Sequence, residues 1–253
     1  MTQRVLVTAG ASGIGKEIAR AFAANGAVVF VTDIDQDALS VLKREVPGAM
    51  TAVCDMASRA EIERAIPLAI ETLGGLDVLI NNAGVAGPTA SVEHFDPDEW
   101  DKVVQVNLTG TFNVTRLAIP HLKQSQGGSI VIMSSVAGRF GYPNRSVYAV
   151  TKWGLIGLTK TLSRELGEFG IRVNAILPGA VAGPRLQGVY KARAKESGRP
   201  LDEVKAAAME LQSVKHLVDP SEIAALAIFL TSEAGRSISG QALPVDNDMQ
   251  NAS

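Results

Sequence analysis

Short runs of apolar, often β-branched residues alternate along this chain with longer segments in which apolar positions recur every three or four residues. The short runs are typical of buried strands, and the longer segments are typical of amphipathic helices. The pattern predicts strands at residues 4–8, 28–32, 51–54, 77–81, 129–134, 171–176 and 241–245. Helices are expected at about residues 13–25, 36–46, 58–73, 96–123, 145–169, 184–217 and 220–231.

This alternation continues from the first strand to the last, and no linker divides the chain. Repeated βα units of this length join parallel strands through right-handed crossovers, which cover both faces of the sheet with helices. We therefore expect one α/β domain over residues 1–253, built on a doubly wound parallel sheet of about seven strands. In such sheets ligands bind beyond the carboxyl ends of the strands.

Composition narrows the functional classes. Of the 253 residues, 46% are hydrophobic and 20% are charged, and the formal net charge is −2. That charge gives no overall attraction to nucleic acid or to an anionic membrane. Cys54 is the only cysteine, so an internal disulfide or a thiolate metal site is excluded. Because there is no signal-peptide pattern and no apolar run of about 18 residues, we expect a soluble cytoplasmic protein without a metal.

The first predicted strand leads into a glycine-rich turn, Thr8-Ala9-Gly10-Ala11-Ser12-Gly13-Ile14-Gly15. Glycines at this place let the backbone approach a pyrophosphate, and the N-terminus of the next helix provides N–H donors. A tight turn with close helix–sheet packing would need the same glycines. The turn alone therefore leaves both a nucleotide site and a purely structural role open.

Asp33 follows the second predicted strand, eighteen residues after Gly15. In dinucleotide-binding folds an acid at this position hydrogen-bonds the adenosine ribose. It would also repel the additional phosphate of NADP, and Thr32, Ile34 and Ser12 provide no cation to bind that phosphate. An acid here could instead cap a helix, but beside the glycine turn we favour NAD over NADP.

Tyr148 and Lys152 lie four residues apart in the predicted helix 145–169, so their side chains share one helix face. A phenol normally titrates at about 10, and a neighbouring ammonium favours the phenolate, which makes the phenol a better acid–base catalyst at neutral pH. The pair alone is common by chance. Ser135, at the end of the fifth predicted strand, adds a hydroxyl that could hold a substrate oxygen beside the phenol.

These residues together resemble the classical short-chain dehydrogenase/reductase family, across essentially the whole chain. The matching segments are Thr8 to Gly15, Asp55, Asn81-Asn82-Ala83-Gly84, Asn107, Ser135, Tyr148 with Lys152, and Pro178-Gly179. The resemblance implies a Rossmann-type fold and an NAD(P)-dependent oxidoreductase that interconverts a secondary alcohol and a ketone.

The resemblance assigns four residues to catalysis. Tyr148 would exchange a proton with the alcohol oxygen, while Lys152 would favour the phenolate and hold the nicotinamide ribose. Ser135 would orient the substrate oxygen, and Asn107 would hold a water in a proton relay behind Lys152. Asn107 could instead brace a turn, and Lys152 could be a solvated helix charge.

The resemblance also implies a cofactor site. The N–H of Ile14 would contact the pyrophosphate, and Asp55 would meet the adenine. The full expected set is Gly10, Ser12, Gly13, Ile14, Gly15, Asp33, Asp55, Met56, Asn82, Ala83, Gly84, Tyr148, Lys152, Pro178, Gly179 and Val181.

Three positions depart from the family pattern. Ala9 stands where the family usually has Gly, and it would cost roughly 1 kcal/mol if the position needs a positive φ. Gly183 stands where a Thr usually helps to fix the carboxamide, so backbone groups, for example at Val181, would take over more of that positioning. Asn247-Asp248 replaces the usual Gly-Gly near the C-terminus.

Residues 183–217 would form a substrate lid, and this segment and the loop before Tyr148 are unusually cationic. We expect Arg145 and Arg185 to be best placed to meet an anionic substrate group, since guanidinium pairs bidentately with carboxylate, sulfonate or phosphate. For each cation the alternative is a solvated helix face. The group comprises Arg139, Arg145, Arg185, Lys191, Arg193, Lys195 and Arg199, with Glu196 the only acid in 185–199.

Two further expectations concern association and alternative functions. We expect a homotetramer, because related proteins form dimers and often tetramers through the helices that correspond to 100–119 and 148–166. In this chain those two helices carry apolar residues beyond those that the side facing the sheet would bury. They are Trp100, Val104, Leu108, Phe112, Trp153, Ile156 and Gly157, and the alternative is that they pack the domain. The other candidate functions are a 3-oxoacyl-thioester (acyl carrier protein) reductase, disfavoured by Asp33, and a catalytically idle dinucleotide sensor, disfavoured by the intact catalytic quartet.

Overall fold

The computed structural model describes residues 2–125 and 127–251. Seven strands form one parallel sheet in the order β3-β2-β1-β4-β5-β6-β7. They are β1 (Arg4–Thr8), β2 (Val28–Asp33), β3 (Met50–Val53), β4 (Val78–Asn81), β5 (Ser129–Met133), β6 (Arg172–Pro178) and β7 (Ala242–Val245). The order reverses between β1 and β4, which leaves a crevice beyond their carboxyl ends.

The helices follow the predicted order. They are α1 (Gly13–Ala24), α2 (Gln36–Glu45), α3 (Arg59–Leu73), α4 (Pro97–Val104), α5 (Thr111–Leu122), α6 (Ser146–Glu165), α7 (Pro184–Ser197), α8 (Leu201–Glu210) and α9 (Pro220–Thr231). Ser58 caps α3, because its Oγ accepts the N–H of Glu61 at 3.3 Å. Within the described ranges, no helix combines the length and apolar character that crossing a bilayer requires.

Both faces of the sheet are buried. Val5 and Val7 belong to the hydrophobic layer formed with α1, α2 and α9, whereas Leu6 between them belongs to the layer formed with α3, α5 and α6. Successive strand residues point to opposite faces, so a sheet covered on both sides needs apolar residues at every position. The predicted α/β fold class, a doubly wound parallel sheet, is confirmed.

Three predicted helices differ from the structure. The helix expected over 96–123 contains a π-helical turn at Gln105–Gly110, between α4 and α5. The helix expected over 145–169 ends at Glu165. The helix expected over 184–217 is two helices, because Gly198 adopts a φ of 67° and Pro200 follows it; residues 211–217 are not helical.

The segment 183–217 leaves and returns to the sheet at one place. Val181 pairs with Val218, and the N–H of Ala182 donates to the carbonyl of Val218 at 2.9 Å. The chain after β7 then pairs with the end of this segment, where Gln212 lies opposite Met249. Helices α7 and α8 therefore form an insertion at the carboxyl edge of the sheet. The pairing of Val181 with Val218 anchors its two ends, and the C-terminal tail pairs with it at Gln212.

Candidate active site

A cavity of ≈480 Å³ opens at the carboxyl edge of the sheet. It extends from the glycine turn after β1, past the ends of β4, β5 and β6, to α7 and the C-terminal tail. The predicted site residues that line it are Ser12, Gly13, Ile14, Asp33, Asn82, Gly84, Ser135, Arg145, Tyr148, Lys152, Pro178, Gly179, Val181 and Arg185. The others, which are Gly10, Gly15, Asp55, Met56, Ala83 and Asn107, lie outside its lining.

The glycine turn is braced by a neighbouring loop. The side-chain Nδ2 of Asn82 donates to the carbonyls of Thr8 and Ala9, at 3.1 and 2.8 Å. A Cβ on Gly15 would lie 2.4 Å from that Nδ2, so only glycine fits there. Gly13, on the cavity wall, has a φ of 52° with open space around it. The backbone of the turn is therefore accessible from the cavity at Gly13, whereas at Gly15 it packs tightly against the Asn82 side chain.

Asp33 is fixed at the wall of the cavity. One carboxylate oxygen accepts the N–H of Ala11 at 3.0 Å, and the other accepts the N–H of Asp35 at 3.1 Å. Two carboxylate oxygens can accept about four hydrogen bonds in total, so each keeps capacity for a further donor such as a hydroxyl.

Lys152 is buried beside Tyr148. Its Nζ donates to the carbonyl of Met133 at 2.8 Å and lies 5.6 Å from the centre of the Tyr148 ring. Burial, with a smaller contribution from the positive charge of Arg185, lowers the pKa of Lys152 to about 7. The ammonium is therefore not a solvated helix charge, and its protonation responds to pH near neutrality.

Asn107 holds the loop after β4. Its Oδ1 accepts the N–H of Val85 at 2.7 Å, and its Nδ2 donates to the carbonyl of Val85 at 3.0 Å and to Thr151 Oγ1 at 3.1 Å. A Cβ on Gly84 would lie 3.2 Å from Lys152 Nζ and 3.3 Å from Asn107 Oδ1. The side chain thus braces a turn, as the alternative interpretation expected, and it also approaches Lys152.

Two adjacent serines at the end of β5 point to different partners. Ser134 Oγ donates to the carbonyl of Lys152 at 2.8 Å, which holds α6 against the strand. Ser135 Oγ accepts the N–H of Ala137 at 3.2 Å, and Ser135 lines the cavity. Because that bond uses the oxygen as an acceptor, the Ser135 hydroxyl can still donate toward the cavity.

The basic residues separate into two groups. Arg145 is 4% exposed and donates from Nη1 to the carbonyl of Gly87 at 2.9 Å. Arg185 donates to the carbonyl of Gly84 at 3.1 Å, and its Cζ lies 5.9 Å from the Tyr148 ring centre. Both line the cavity, whereas the lining does not include Arg139, Lys191, Lys195 or Arg199.

Several cavity residues were not among the predicted site residues. Tyr142 packs edge-on against Tyr148, with ring centres 6.3 Å apart, and its hydroxyl accepts a hydrogen bond from Arg193. Tyr190 and Met249 also line the cavity. Neither Tyr142, which lies in the loop before α6, nor Met249, which reaches the cavity after β7, carries a local sequence signal for the site.

At each of the three departures from the family pattern the backbone has a positive φ. Ala9 adopts a φ of 49°, so the position does need a positive φ. Gly183 adopts a φ of 146°, where a Thr would be strained. Asn247 and Asp248 adopt φ values of 57° and 52°, and Asn and Asp tolerate this region better than other non-glycine residues.

Comparison with known proteins identifies similar sequences over nearly the whole chain. A family model described as enoyl-(acyl carrier protein) reductase matches residues 8–249. A D-beta-hydroxybutyrate dehydrogenase from Cupriavidus necator is 39% identical over 243 residues, which is 93% of each chain. A 3-oxoacyl-acyl-carrier-protein reductase from Thermotoga maritima is 35% identical over 248 residues, which is 96% of each chain.

Solved structures agree with the sequence relatives. A variant of actinorhodin polyketide ketoreductase with NADPH superimposes with a TM-score of 0.94 at 32% identity, covering 99% of this chain and 98% of that chain. The chain therefore shares its fold and about a third of its sequence with a nicotinamide-dependent reductase.

Proposed function

The chain belongs to the short-chain dehydrogenase/reductase family, and we propose that it is an NAD-dependent enzyme that interconverts a secondary alcohol and a ketone, with Tyr148 as the acid–base group. Its relatives are dehydrogenases and reductases of CH–OH and keto groups, so it is an oxidoreductase of this type. The observation that supports the more specific proposal is the pair formed by Tyr148 and the buried Lys152 at the cavity.

In the direction of oxidation, Tyr148 takes the proton of the alcohol. The positive charge of Lys152 stabilises the phenolate that accepts it. Ser135 donates a hydrogen bond to the substrate oxygen and orients it toward Tyr148. Asn107 lies near Lys152, since a Cβ on Gly84 would lie 3.2 Å from Lys152 Nζ and 3.3 Å from Asn107 Oδ1. Its proposed role is to hold a water in the proton relay behind Lys152.

A nicotinamide dinucleotide fits the residues of the other half of the cavity and would supply the hydride acceptor at its ring. The N–H groups of Ser12, Gly13 and Ile14 begin α1 and suit the pyrophosphate. The turn approaches Asn82 so closely that a side chain at Gly15 would not fit, which supports a tight backbone cradle. Gly84 and Pro178 to Val181 line the part next to Lys152.

Asp33 supports NAD as the preferred form. Its carboxylate lines the cavity in a fixed orientation, where it would accept hydrogen bonds from ribose hydroxyls and repel a phosphate. Replacement of Asp33 with Asn is expected to weaken NAD and to raise the ratio of NADP to NAD turnover by roughly tenfold or more, as about 1.4 kcal/mol corresponds to tenfold. A ratio that stays constant would remove the support for NAD.

The test of the reaction is NADH formation from a panel of secondary alcohols by the wild type and by Tyr148→Phe. Loss of a positioned acid–base group typically costs about 10²- to 10⁴-fold in rate, and we expect a loss of that size. Fluorescence of bound NADH should show that the variant still binds the cofactor. Equal turnover by both proteins would exclude the role of Tyr148, and tight NADH binding without turnover of any alcohol or ketone would favour the sensor.

A 3-oxoacyl-thioester reductase is the second candidate, because a relative that is 35% identical carries that name. It would consume a reduced nicotinamide dinucleotide with an acetoacetyl thioester. Turnover of that thioester with NADPH in preference to NADH would favour it over the NAD-dependent dehydrogenase.

A further inference from the structure

We propose that the substrate carries an anionic group, held in the cavity by Arg193 together with Tyr142 and Arg145, so that the enzyme acts on a compact hydroxy acid or keto acid. This proposal rests on the proposed function, because it places the reacting carbon beside Tyr148. In oxidation, the carbinol carbon gives its hydride to the dinucleotide and its oxygen gives a proton to Tyr148. The anionic group is unchanged.

The first observation is the contact between Tyr142 and two guanidinium groups. Arg193 donates from Nη2 to the Tyr142 hydroxyl, and its Cζ lies 5.2 Å from the centre of the Tyr142 ring. The Cζ of Arg145 lies 5.8 Å from the same centre. Tyr142 in turn packs against Tyr148, so the two guanidinium groups are one aromatic ring away from the proposed acid–base group.

The second observation is that the positive side chains lining the cavity outnumber the negative ones. Three arginines, Arg145, Arg185 and Arg193, line the cavity together with Lys152, and Asp33 is the only acid that lines it among the described residues. Over residues 2–125 and 127–251, no carboxylate lies within 4.0 Å of the guanidinium of Arg145, Arg185 or Arg193. Asp33 instead lies beside the glycine turn, where it accepts N–H groups.

The third observation is the burial of Arg145. The residue is 4% exposed, and its Nε has no hydrogen-bond partner among the described residues. An ionised group is costly to bury without a partner, and arginine does not escape this by losing its proton. An anion in the adjoining cavity lowers that cost, so the cavity beside Arg145 favours a negatively charged ligand.

Arg193 is the residue assigned to direct contact. It is half-buried on α7, and its recorded hydrogen bond is to a neutral phenol, which leaves other N–H donors of the guanidinium available. Arg185 contacts the carbonyl of Gly84, next to the proposed cofactor, and adds positive charge on that side. Because a cavity of ≈480 Å³ must also hold much of a dinucleotide, it suits compact acids.

The test compares Arg193→Gln with Lys195→Gln. Both remove one positive charge from α7, but Lys195 is exposed and does not line the cavity. The probes are 3-hydroxybutanoate, 3-hydroxyhexanoate and 4-hydroxycyclohexanecarboxylate, each paired with its primary amide. We expect the wild type to prefer acids, and Arg193→Gln to lower kcat/KM for acids by about 10- to 100-fold, mainly through KM. Arg193→Gln should lower turnover of the amides much less than turnover of the acids, and Lys195→Gln should leave turnover of both unchanged.

A binding measurement covers the case in which none of these alcohols is the substrate. Calorimetry on the enzyme loaded with NADH would use cyclohexanecarboxylate and cyclohexanecarboxamide. We expect the carboxylate to bind more tightly than the amide, an advantage that Arg193→Gln removes and Arg193→Lys partly restores. Equal affinity of the two ligands for the wild type, or an equal advantage in Arg193→Gln and Lys195→Gln, would overturn the proposal.

The outcomes separate this inference from the proposed function. If Tyr148→Phe abolishes turnover while acids and amides react alike in the wild type, the reaction assignment stands and the anionic substrate is wrong. If Tyr148→Phe leaves turnover unchanged while carboxylate binding depends on Arg193, the anion site stands and the role of Tyr148 is wrong.

Discussion

Ala9 carries backbone strain in the turn where the proposed cofactor binds. Its φ of 49° lies in the left-handed region, which costs a residue with a Cβ about 1–2 kcal/mol. The strain persists because Asn82 holds the carbonyl of Ala9 and because α1 begins four residues later. The contacts around Ala9 therefore offset the free-energy cost of its left-handed conformation.

We expect Ala9→Gly to stabilise the protein. Relief of the left-handed conformation gains about 1–2 kcal/mol, and the greater freedom of unfolded glycine removes about 0.4–1 kcal/mol, so a net gain of up to about 1.6 kcal/mol should remain. Thermal unfolding at a fixed protein concentration measures it. As the control, Ala207→Gly at an exposed position in the middle of α8 should lose about 0.5–1 kcal/mol. A loss in Ala9→Gly equal to that control would contradict the account.

Lys152 shows how burial changes the chemistry of a residue whose identity is plain in the sequence. Burial lowers its pKa to about 7, whereas an unfolded lysine titrates at about 10.4. Between these values the unfolded chain binds more protons than the native one. The contribution of Lys152 to stability therefore falls as the pH decreases through that range and is constant below about 7.

Titration of the ¹³Cε resonance of labelled lysines should show one signal, absent in Lys152→Arg, with a midpoint near 7 in the enzyme without cofactor. Arg185→Gln removes the neighbouring positive charge and should move that midpoint upward. Lys195→Gln is the matched change on the same helix and should leave it in place. A midpoint near 10 in the wild type would mean that water reaches Nζ.

At the scale of elements, the π-helical turn between α4 and α5 was not predicted. The sequence there continues the helical pattern without proline or glycine until Gly110, so a regular helix was expected. The turn coincides with Asn107, whose amide bonds both backbone groups of Val85. π-helical turns often occur at functional sites, and here the partner loop is remote in sequence.

We expect Asn107→Leu to be destabilising, because it removes both hydrogen bonds between the buried Asn107 side chain and the backbone N–H and C=O of Val85, at about 0.5–1.5 kcal/mol each. Asn113→Leu on α5 is the matched control. Asn113 is 1% exposed, and in the described part of the chain its Nδ2 has no hydrogen-bond partner, so an apolar replacement should be neutral or stabilising. Equal melting temperatures for the two variants would show that the contacts of Asn107 carry little stability.

At the scale of the whole molecule, α5 and α6 present large apolar side chains outward. Phe112, Val150 and Trp153 are each 51% exposed, whereas Leu155 on α6 is buried. Gly157, also on α6, has open space at its Cβ position, which permits close approach of another helix. A homotetramer remains the prediction, and these exposed apolar side chains are the ones that its interfaces would bury.

Light scattering should therefore give the wild type a mass of four 26.6 kDa chains. Trp153→Arg places a charge on the outward face of α6 and should reduce the mass to that of a smaller assembly. Val92→Arg, at a site that is 72% exposed and outside these helices, should leave the mass unchanged. A monomeric wild type, or a Trp153→Arg variant of unchanged mass, would contradict the assignment of this face.

The sequence by itself determined the fold class and most of the catalytic candidates. Alternating strand and helix periods are local properties, and so is the spacing of Tyr148 and Lys152, which places both on one face of α6. The strand ends carry Asp33 and Ser135, and the parallel topology alone brings such ends to one edge.

Only the tertiary structure decided the contacts between segments that are distant in the chain. The bond from Arg193 to Tyr142, the approach of Asn107 to Lys152, and the placement of Met249 in the cavity each join residues tens of positions apart. The positive φ at Ala9 likewise occurs where Asn82, which follows the neighbouring strand β4, holds the Ala9 carbonyl. Local patterns specify which residues share an element face, but packing between elements decides which of those faces meet.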